Sequence, residues 1–457
     1  ESTQTCTLTE TTEIRQIELF YQADGEAAKA WHTVADVTSE KLIHIVYDKL
    51  AQKLELVPDA ANESGYYNSD FSVLLKVEDT EIFSGIASVE YWVICDGNKT
   101  QPETVVYTYT DGEEILAEKE IAVEVKADVN NGDNVAFYAK AVDRAGNETT
   151  KKVELRINSM PPTIEIRFDD NGGIERDGDT FFRTGRVATI IINDRYDTFD
   201  PGAATAGIQI SAVDADGNEV VLDKAAMISA WSNNGYEHTA TVRFDVDGTY
   251  TWSAAYTNLA GIKNTDPPAL IGAASLKFTV DTTLPVGEIT VNENKWDVLL
   301  SKLTFGLYSK IRAEVSATWG DATSPCDVEY FKTADTAPKN YDALDVLYAQ
   351  GAFTAYSGAF NIDSDDSFVI YLRVTDYAGN YIYVCSNGYV VDKTAGRIAL
   401  ERVEPNANGM YGRDSDVRVA VKVEDAEPYS GIASVDYLVF RSRADYETYR
   451  NTAAESW

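Results

Sequence analysis

Histidine is nearly absent from this chain, with three in 457 residues, and only four cysteines and three methionines accompany it. So little imidazole and thiol leaves scant material for a zinc centre or a histidine-activated nucleophile. Cys6, Cys95, Cys326 and Cys385 form no CxxC pair, and four cysteines over this length are no disulfide framework of the kind small secreted domains use. Cys326 and Cys385 fall in one repeat, and the strand order predicted there keeps them apart as free, buried thiols. There is no GxSxG, HExxH, Walker loop or GxGxxG. No apolar run approaches the ~18 residues that would span a bilayer. Basic residues are also scarce, 39 against 74 acidic ones, for a formal net charge of -35. That field repels phosphate backbones and anionic membranes, so nucleic-acid binding and membrane insertion are excluded as expectations.

What is present is repetition. Hydrophobic residues make up 44% of the chain, enough for packed cores. Ser84-Gly-Ile-Ala-Ser-Val-Glu-Tyr91 returns as Ser430-Gly-Ile-Ala-Ser-Val-Asp-Tyr437, with Val77-Glu-Asp79 and Val423-Glu-Asp425 just upstream. Asp143-Arg-Ala-Gly-Asn147 matches Asp376-Tyr-Ala-Gly-Asn380, and Asn258-Leu-Ala-Gly261 is a weaker copy; the glycines are spaced by 115 and 118 residues. Met160-Pro-Pro-Thr163, Asp281-Thr-Thr-Leu-Pro285 and Asp392-Lys-Thr394 mark the joints. Three markers in one phase define a period of about 115 residues, the signature of a domain array.

Within a period the residues alternate with period two. Phe71, Val73, Leu75 and Val77 interleave with Ser72, Lys76 and Glu78; Val417, Val419, Val421 and Val423 do the same, as do Phe368, Ile370, Leu372 and Val374. Such strands put one face in a core and the other in water. Short strands at regular spacing predict an all-β fold of tandem immunoglobulin-like β-sandwich domains in an extended rod. The Asp-x-Ala-Gly-Asn element reads as a hairpin turn, its glycine supplying a positive φ and its Asp and Asn bonding nearby backbone. Tyr341, Leu344, Leu347 and Tyr348 share one helical face, and Tyr446, Tyr449, Ala453 and Trp457 repeat that spacing. Short inserted helices, capping a sandwich edge, are expected in both places.

The expected divisions are 49–160, 161–282 and 283–393 as complete domains, 1–48 as the C-terminal part of a preceding one, and 394–457 as the N-terminal part of a further one. The two partial ends together hold about one repeat of chain. The sequence thus reads as a window from a longer array; the alternative is that the ends complement each other between molecules, head to tail.

These motifs carry a resemblance. Tyr66-Tyr-Asn-Ser-Asp-Phe71, Val77-Glu-Asp79, Ser84-Gly85 and Val89-Glu-Tyr91 resemble one type of the Ig-like repeats found in very large cell-surface proteins of Gram-positive bacteria, particularly gut Firmicutes. Arg186-Val-Ala-Thr-Ile190 with Trp231, His238, Phe244 and Asp247-Gly248 resembles a second type. Trp296, Leu299-Leu300, Thr304-Phe-Gly306, Glu329-Tyr-Phe331 and Gly388-Tyr-Val-Val-Asp392 resemble a third. The likeness covers nearly all of 49–457. It implies the sandwich fold and an extracellular location on a bacterial surface, with neighbouring Ig-like domains of the same chain as partners. Such repeats occur in adhesins, in stalks and beside wall-attached enzymes. The expectation is therefore a non-catalytic array for adhesion to, or display toward, host protein or glycan. The alternatives are a purely structural stalk, the accessory region of a surface glycan-degrading enzyme, and capture of host immunoglobulin.

Two sets of residues stand out as candidate sites. Asp169, Asp170, Glu175, Asp177 and Asp179 crowd one glycine-rich stretch, and a flexible acidic loop can supply several of the six to eight oxygens calcium takes. The spacing is not that of an EF-hand, and the competing reading is a solvated hairpin loop. No other cofactor is expected. Trp231 and Tyr236, near Asn233 and Asn234, are candidates for stacking on a sugar ring, against a packing role. Tyr381 and Tyr383 alternate after the Asp376 turn and are expected to face solvent at a sheet edge. His238, in an alternating strand, is expected to be structural.

Overall fold

The computed structural model describes residues 48–79, 84–108, 116–402, 404–413, 416–428 and 430–452. Before them it describes the backbone of four short strands, Thr12–Ile14 paired with Ile45–Tyr47 and Phe20–Tyr21 paired with His32–Thr33. Cys6, the copy of the turn motif at 34–40 and the end of the last helical face at Ala453 and Trp457 lie outside the described residues.

The alternation at 71–77 does what it predicts. Phe71–Glu78 is the central strand of a three-stranded sheet, flanked by Lys53–Pro58 and Glu118–Val125. Its odd positions, Val73, Leu75 and Val77, are buried against Val89, Phe137, Ala139 and Ala141 of the facing sheet. That second sheet runs Glu148–Ile157, Gly132–Asp143, Ile86–Cys95, and Ile86–Cys95 also pairs with Glu103–Val106. Two antiparallel sheets with their apolar faces inward make the first sandwich.

The second sandwich repeats the plan with two five-stranded sheets, one centred on Arg186–Asn193 and the other on Lys277–Val280. Its core is aromatic: Phe244, Tyr250, Trp252 and Phe278 pack between Ile164, Ile166, Ile190 and Ile192. Arg186 is buried there, its guanidinium 4.0 and 4.1 Å from the ring centres of Phe168 and Phe182. Burial pulls its pKa down to about 10, partly opposed by the charge of Asp169.

In the third, the sheet with Val286–Val291 and Ala313–Gly320 faces one built on Asp366–Asp376, which pairs with Cys326–Thr333, Tyr381–Cys385 and Gly388–Val391. The helix expected near Tyr341 spans Tyr341–Ala349 and is capped by Asn340, whose side chain accepts from the Ala343 amide. It buries Leu344 and packs Leu347 against Phe353, Val369 and Tyr371. It is therefore a cap on the sandwich, closing a second small core.

Two of the expectations need correction here. Tyr383 does not face solvent: it is buried under that helix, and its hydroxyl and that of Tyr381 both donate to Asp345 at 2.9 Å. The last unit holds Arg397–Arg402 paired with Val419–Glu424 and a helix, Arg443–Thr452. Val417 and Val419, patterned for a core, are about half exposed there, because no facing sheet covers them among the described residues. Cys95, Cys326 and Cys385 are free thiols; Cys385 is buried and the other two half-buried.

Candidate cation sites at the domain joints

At each joint a polar residue directly follows the strand that leads into it. Tyr47 is followed by Asp48, Ile157 by Asn158, Val280 by Asp281 and Val391 by Asp392. A second polar residue follows the strand of the next unit that carries the Val-Glu-Asp marker or its counterpart. Glu78 is followed by Asp79, Asn193 by Asp194, Gly320 by Asp321 and Glu424 by Asp425. The third comes from the Ala-Gly turn, at Asp143, Asn258 and Asp376. The turn fixes it rigidly: the Asn147 amide donates to Asp143 Oδ1 at 2.8 Å, and the Asn380 amide donates to Asp376 Oδ1 at 2.8 Å. Gly146 and Gly379 make this geometry at φ 90 and 91.

The fold brings these three positions together. At the first joint one carboxylate oxygen from each of Asp48, Asp79 and Asp143 lies within 4.8 Å of the others, and all three residues are buried (7%, 4% and 2% exposed). At the third joint Asp281, Asp321 and Asp376 converge in the same way. Two like charges at that separation repel by about 3 kcal/mol at an effective dielectric constant near 20.

Neighbouring donors offset part of this. Asp48 accepts from the amides of Leu50 and Ser84 at 2.9 and 3.0 Å, and Asp79 from the amide of Gly85 at 2.7 Å. Asp281 accepts from Ser324 Oγ at 2.5 Å, and its carbonyl accepts from Asn380 Nδ2 at 2.8 Å. No ion pair reaches the third triad among the described residues. Burial, with the charges of Asp321 and Asp376 adding to it, pushes the Asp281 carboxyl up to about 6 despite the Ser324 bond, and burial likewise raises Asp376.

The second joint is built differently. Asn158 and Asn258 replace two of the three carboxylates, and a buried hydroxyl, Thr198, fills the centre. Asn158 Nδ2 donates to Thr198 Oγ1 at 2.9 Å, and Thr198 Oγ1 donates to Asp194 Oδ1 at 2.9 Å. Asn258 Nδ2 donates to the same oxygen at 3.1 Å, and the Tyr256 hydroxyl donates to Asp194 Oδ2 at 3.0 Å. One carboxylate with three donors is electrostatically complete. The fourth joint repeats the entry half of the first. Ser430 and Gly431 donate their amides to Asp392 and Asp425 at 2.8 and 3.1 Å, as Ser84 and Gly85 do to Asp48 and Asp79. The Ser430 amide holds the Asp392 carboxyl below its ordinary value.

The acidic loop expected to hold calcium does not converge. Among the described residues, the groups of three metal-ligating side chains within reach of one another are the two joint triads. Asp169 accepts from the Val187 amide, Glu175 from Thr180 Oγ1, and Asp177 from the Tyr377 hydroxyl of the next sandwich. Asp179 pairs with Lys277 Nζ at 2.8 Å. Asp169, Asp170 and Glu175 do line one pocket, but Arg186 and Lys277 share it and supply the positive charge a divalent ion would otherwise bring. The aromatic candidates are likewise engaged. Trp231 Nε1 donates to Thr205 Oγ1 and its ring packs on Phe199, while the Tyr236 hydroxyl donates to Asp133 of the preceding sandwich at 2.6 Å.

The signal for the triads was present in the sequence. The markers carry part of it: Asp79 and Asp425 in Val-Glu-Asp, Asp143 and Asp376 in the Ala-Gly turn with Asn258 in its weaker copy, and Asp281 and Asp392 at two of the joints. Read separately, each aspartate is explained by a local turn; only the strand order joins them.

No protein-family model and no curated protein matches the chain. Among solved structures it is similar to a tetra-tandem repeat in the extending region of a large adhesion protein, at 14% identity over 77% of each chain, with a TM-score of 0.34. It is also similar to a structure bearing on host cell surface retention of a 1.5-MDa bacterial ice-binding adhesin, at 14% identity over 75% of this chain and 99% of that one, TM-score 0.24. Domains A168–A170 from titin are similar at 12% identity over 75% and 97% of the two chains, TM-score 0.22. The sandwich architecture stands on its own strand pairing.

Proposed function

We propose that this chain is a non-catalytic segment of a bacterial surface protein, of the type found in Gram-positive gut Firmicutes, whose sandwiches extend and display binding surface toward host protein or glycan. The observation that supports this reading is the direct fastening of each sandwich to the next. Asn62 Nδ2 donates to the Leu259 carbonyl at 2.9 Å and Asn68 Nδ2 to the Ala260 carbonyl at 2.8 Å. The next joint is closed by the Ala215 amide on the Ala322 carbonyl at 3.2 Å and by the ring of Phe181 against Tyr377, centroids 5.4 Å apart. Fastened neighbours transmit orientation, and a series of them sets reach. The bacterial surface location rests on the repeat motifs named above, and the host target is the expectation those repeats carry.

Two measurements test this. Small-angle scattering of the whole chain should give a radius of gyration well above the ~22 Å of a compact body of this size; a value near that figure removes the extension role. A screen of the chain against mucin glycans, matrix proteins and immunoglobulins should give a saturable interaction that maps to one sandwich. An extended chain that binds none of them is a stalk, and the adhesive part of the proposal is lost.

A further inference from the structure

The first joint holds one more polar group, and it points to a ligand. Gln52 lies one residue before Lys53, which pairs with Glu78, so it stands opposite Asp79 on the same face of the ladder. It is 2% exposed. Its Nε2 donates to the Asn147 carbonyl at 3.2 Å, in the turn that carries Asp143, while Asn147 Nδ2 reaches both Asp143 Oδ2 at 2.8 Å and the Asp48 carbonyl at 3.2 Å. The amide is thus oriented, and bracketed by members of the triad. Its Oε1, fully buried, accepts no hydrogen bond. A buried carbonyl oxygen without a donor is costly unless a cation takes it.

The donor set decides what kind of cation. Every group at the first joint is an oxygen: three carboxylates and one amide. Hard oxygen donors of mixed type, drawn from three separate segments, suit calcium, which takes six to eight oxygens in irregular geometry; zinc and copper select nitrogen and sulfur. The third joint presents the same three carboxylates on the same elements. The second is the internal control, because there the protein itself has placed two amides and a hydroxyl where the others have charge.

We propose that the first joint binds one calcium-class divalent cation through Asp48, Asp79, Asp143 and Gln52 Oε1, and that the second binds none. The array then has two kinds of joint, one fastened by protein hydrogen bonds alone and one completed by the solvent's divalent ions. This goes beyond the display role and does not depend on it: cation binding is read on the isolated chain with no host ligand present.

The test is calorimetric titration of calcium into the calcium-stripped whole chain, alongside thermal melting with and without calcium. One equivalent should bind at the first joint. Asp143→Asn, which places an amide where the second joint has Asn258, should remove it. Asp48→Asn, copying Asn158, serves as the independent variant at the first joint and should also remove it. Each amide variant relieves like-charge repulsion but turns one acceptor toward a donor, Asn147 Nδ2 or the Ser84 amide, so its calcium-free melting is its own baseline, and what it should lose is the stabilisation calcium confers. A residue needed only for the turn would instead lower stability equally in both buffers and leave the calcium-dependent increment intact. Failure of the parent to bind calcium saturably, or retention in Asp143→Asn and Asp48→Asn of the parent's binding and of the calcium-dependent stabilisation of the first sandwich, would overturn the proposal.

Discussion

The hydroxyl of Tyr66 in the first sandwich donates to the carbonyl of Asp197 in the second at 2.7 Å. Tyr66 is buried, with the Arg156 guanidinium 5.5 Å from its ring centre, so this single bond crosses the joint from a side chain fixed by its own domain. Tyr66→Phe should keep the ring's packing and lose the crossing bond, at a cost of about 1 kcal/mol. Spin labels on the two sandwiches should report a broader distance distribution, with little change in either domain's melting. An unchanged distribution would show that the other crossing bonds, from Asn62, Asn68 and Tyr236, hold the angle without it.

Leu75 is fully buried at the centre of the first core, opposite Leu56 and Ile121 in the two neighbouring strands. Leu75→Ala opens a cavity there and should cost about 2–5 kcal/mol. Because several domains unfold in one chain, the readout is a denaturant transition assigned to the first sandwich by hydrogen exchange, the others remaining in place.

His238 stacks on Phe199 with ring centres 3.8 Å apart, and its Nδ1 is 2.8 Å from Asn233 Oδ1. Burial holds its pKa below the ordinary value near 6.5, against a smaller opposing pull from Asp194. The fold therefore favours the neutral ring. Its contribution is fully present above about pH 6.5, where the unfolded chain is also neutral, and is lost as pH falls through the lower folded value. The second sandwich should melt earlier at pH 5 than at pH 7.5, and His238→Asn should flatten that difference.

Asp345 on the capping helix accepts from two tyrosines of the sheet below it. Burial, then the bond to Asp345, raises the pKa of both Tyr381 and Tyr383. Asp345→Ala leaves the buried Tyr383 hydroxyl without its acceptor, which costs about 1–3 kcal/mol. Amide exchange along Tyr341–Ala349 should quicken, while the strands Asp366–Asp376 and Val286–Val291 keep their protection.

The architecture was legible wherever it depends on local pattern. Alternation at 71–77 and 368–374, the Ala-Gly turns and the helical face at 341–348 all describe what one segment does, and period and turn chemistry suffice for that. The candidate site was not legible because it depends on convergence. Asp79, Asp143 and Asp48 are each a sufficient turn or joint residue alone, and they meet only when the strands ending at Tyr47, Glu78 and Asp143 close at one end of a sandwich. Composition misled in the opposite direction at 169–179. There acidic density is high, but Asp177 and Asp179 are spent on Tyr377 and Lys277, contacts 200 and 98 residues away. The polar atoms of Trp231 and Tyr236 are likewise bonded to distant partners, Thr205 and Asp133.

The joint residue belongs to one strand by covalent order and to the following sandwich by its bonds. Asp48 ends the segment before the first sandwich yet accepts from the Ser84 amide inside it, and Asp392 stands in the same relation to Ser430. A gene rearrangement that cut just after such a residue would hand each daughter unit the partner meant for its neighbour. Exchange of a whole unit keeps its electrostatics only when the crossover falls upstream of the joint, inside the last strand of the preceding sandwich. The heritable module of this array is therefore offset by a strand's end from the domain the eye would draw.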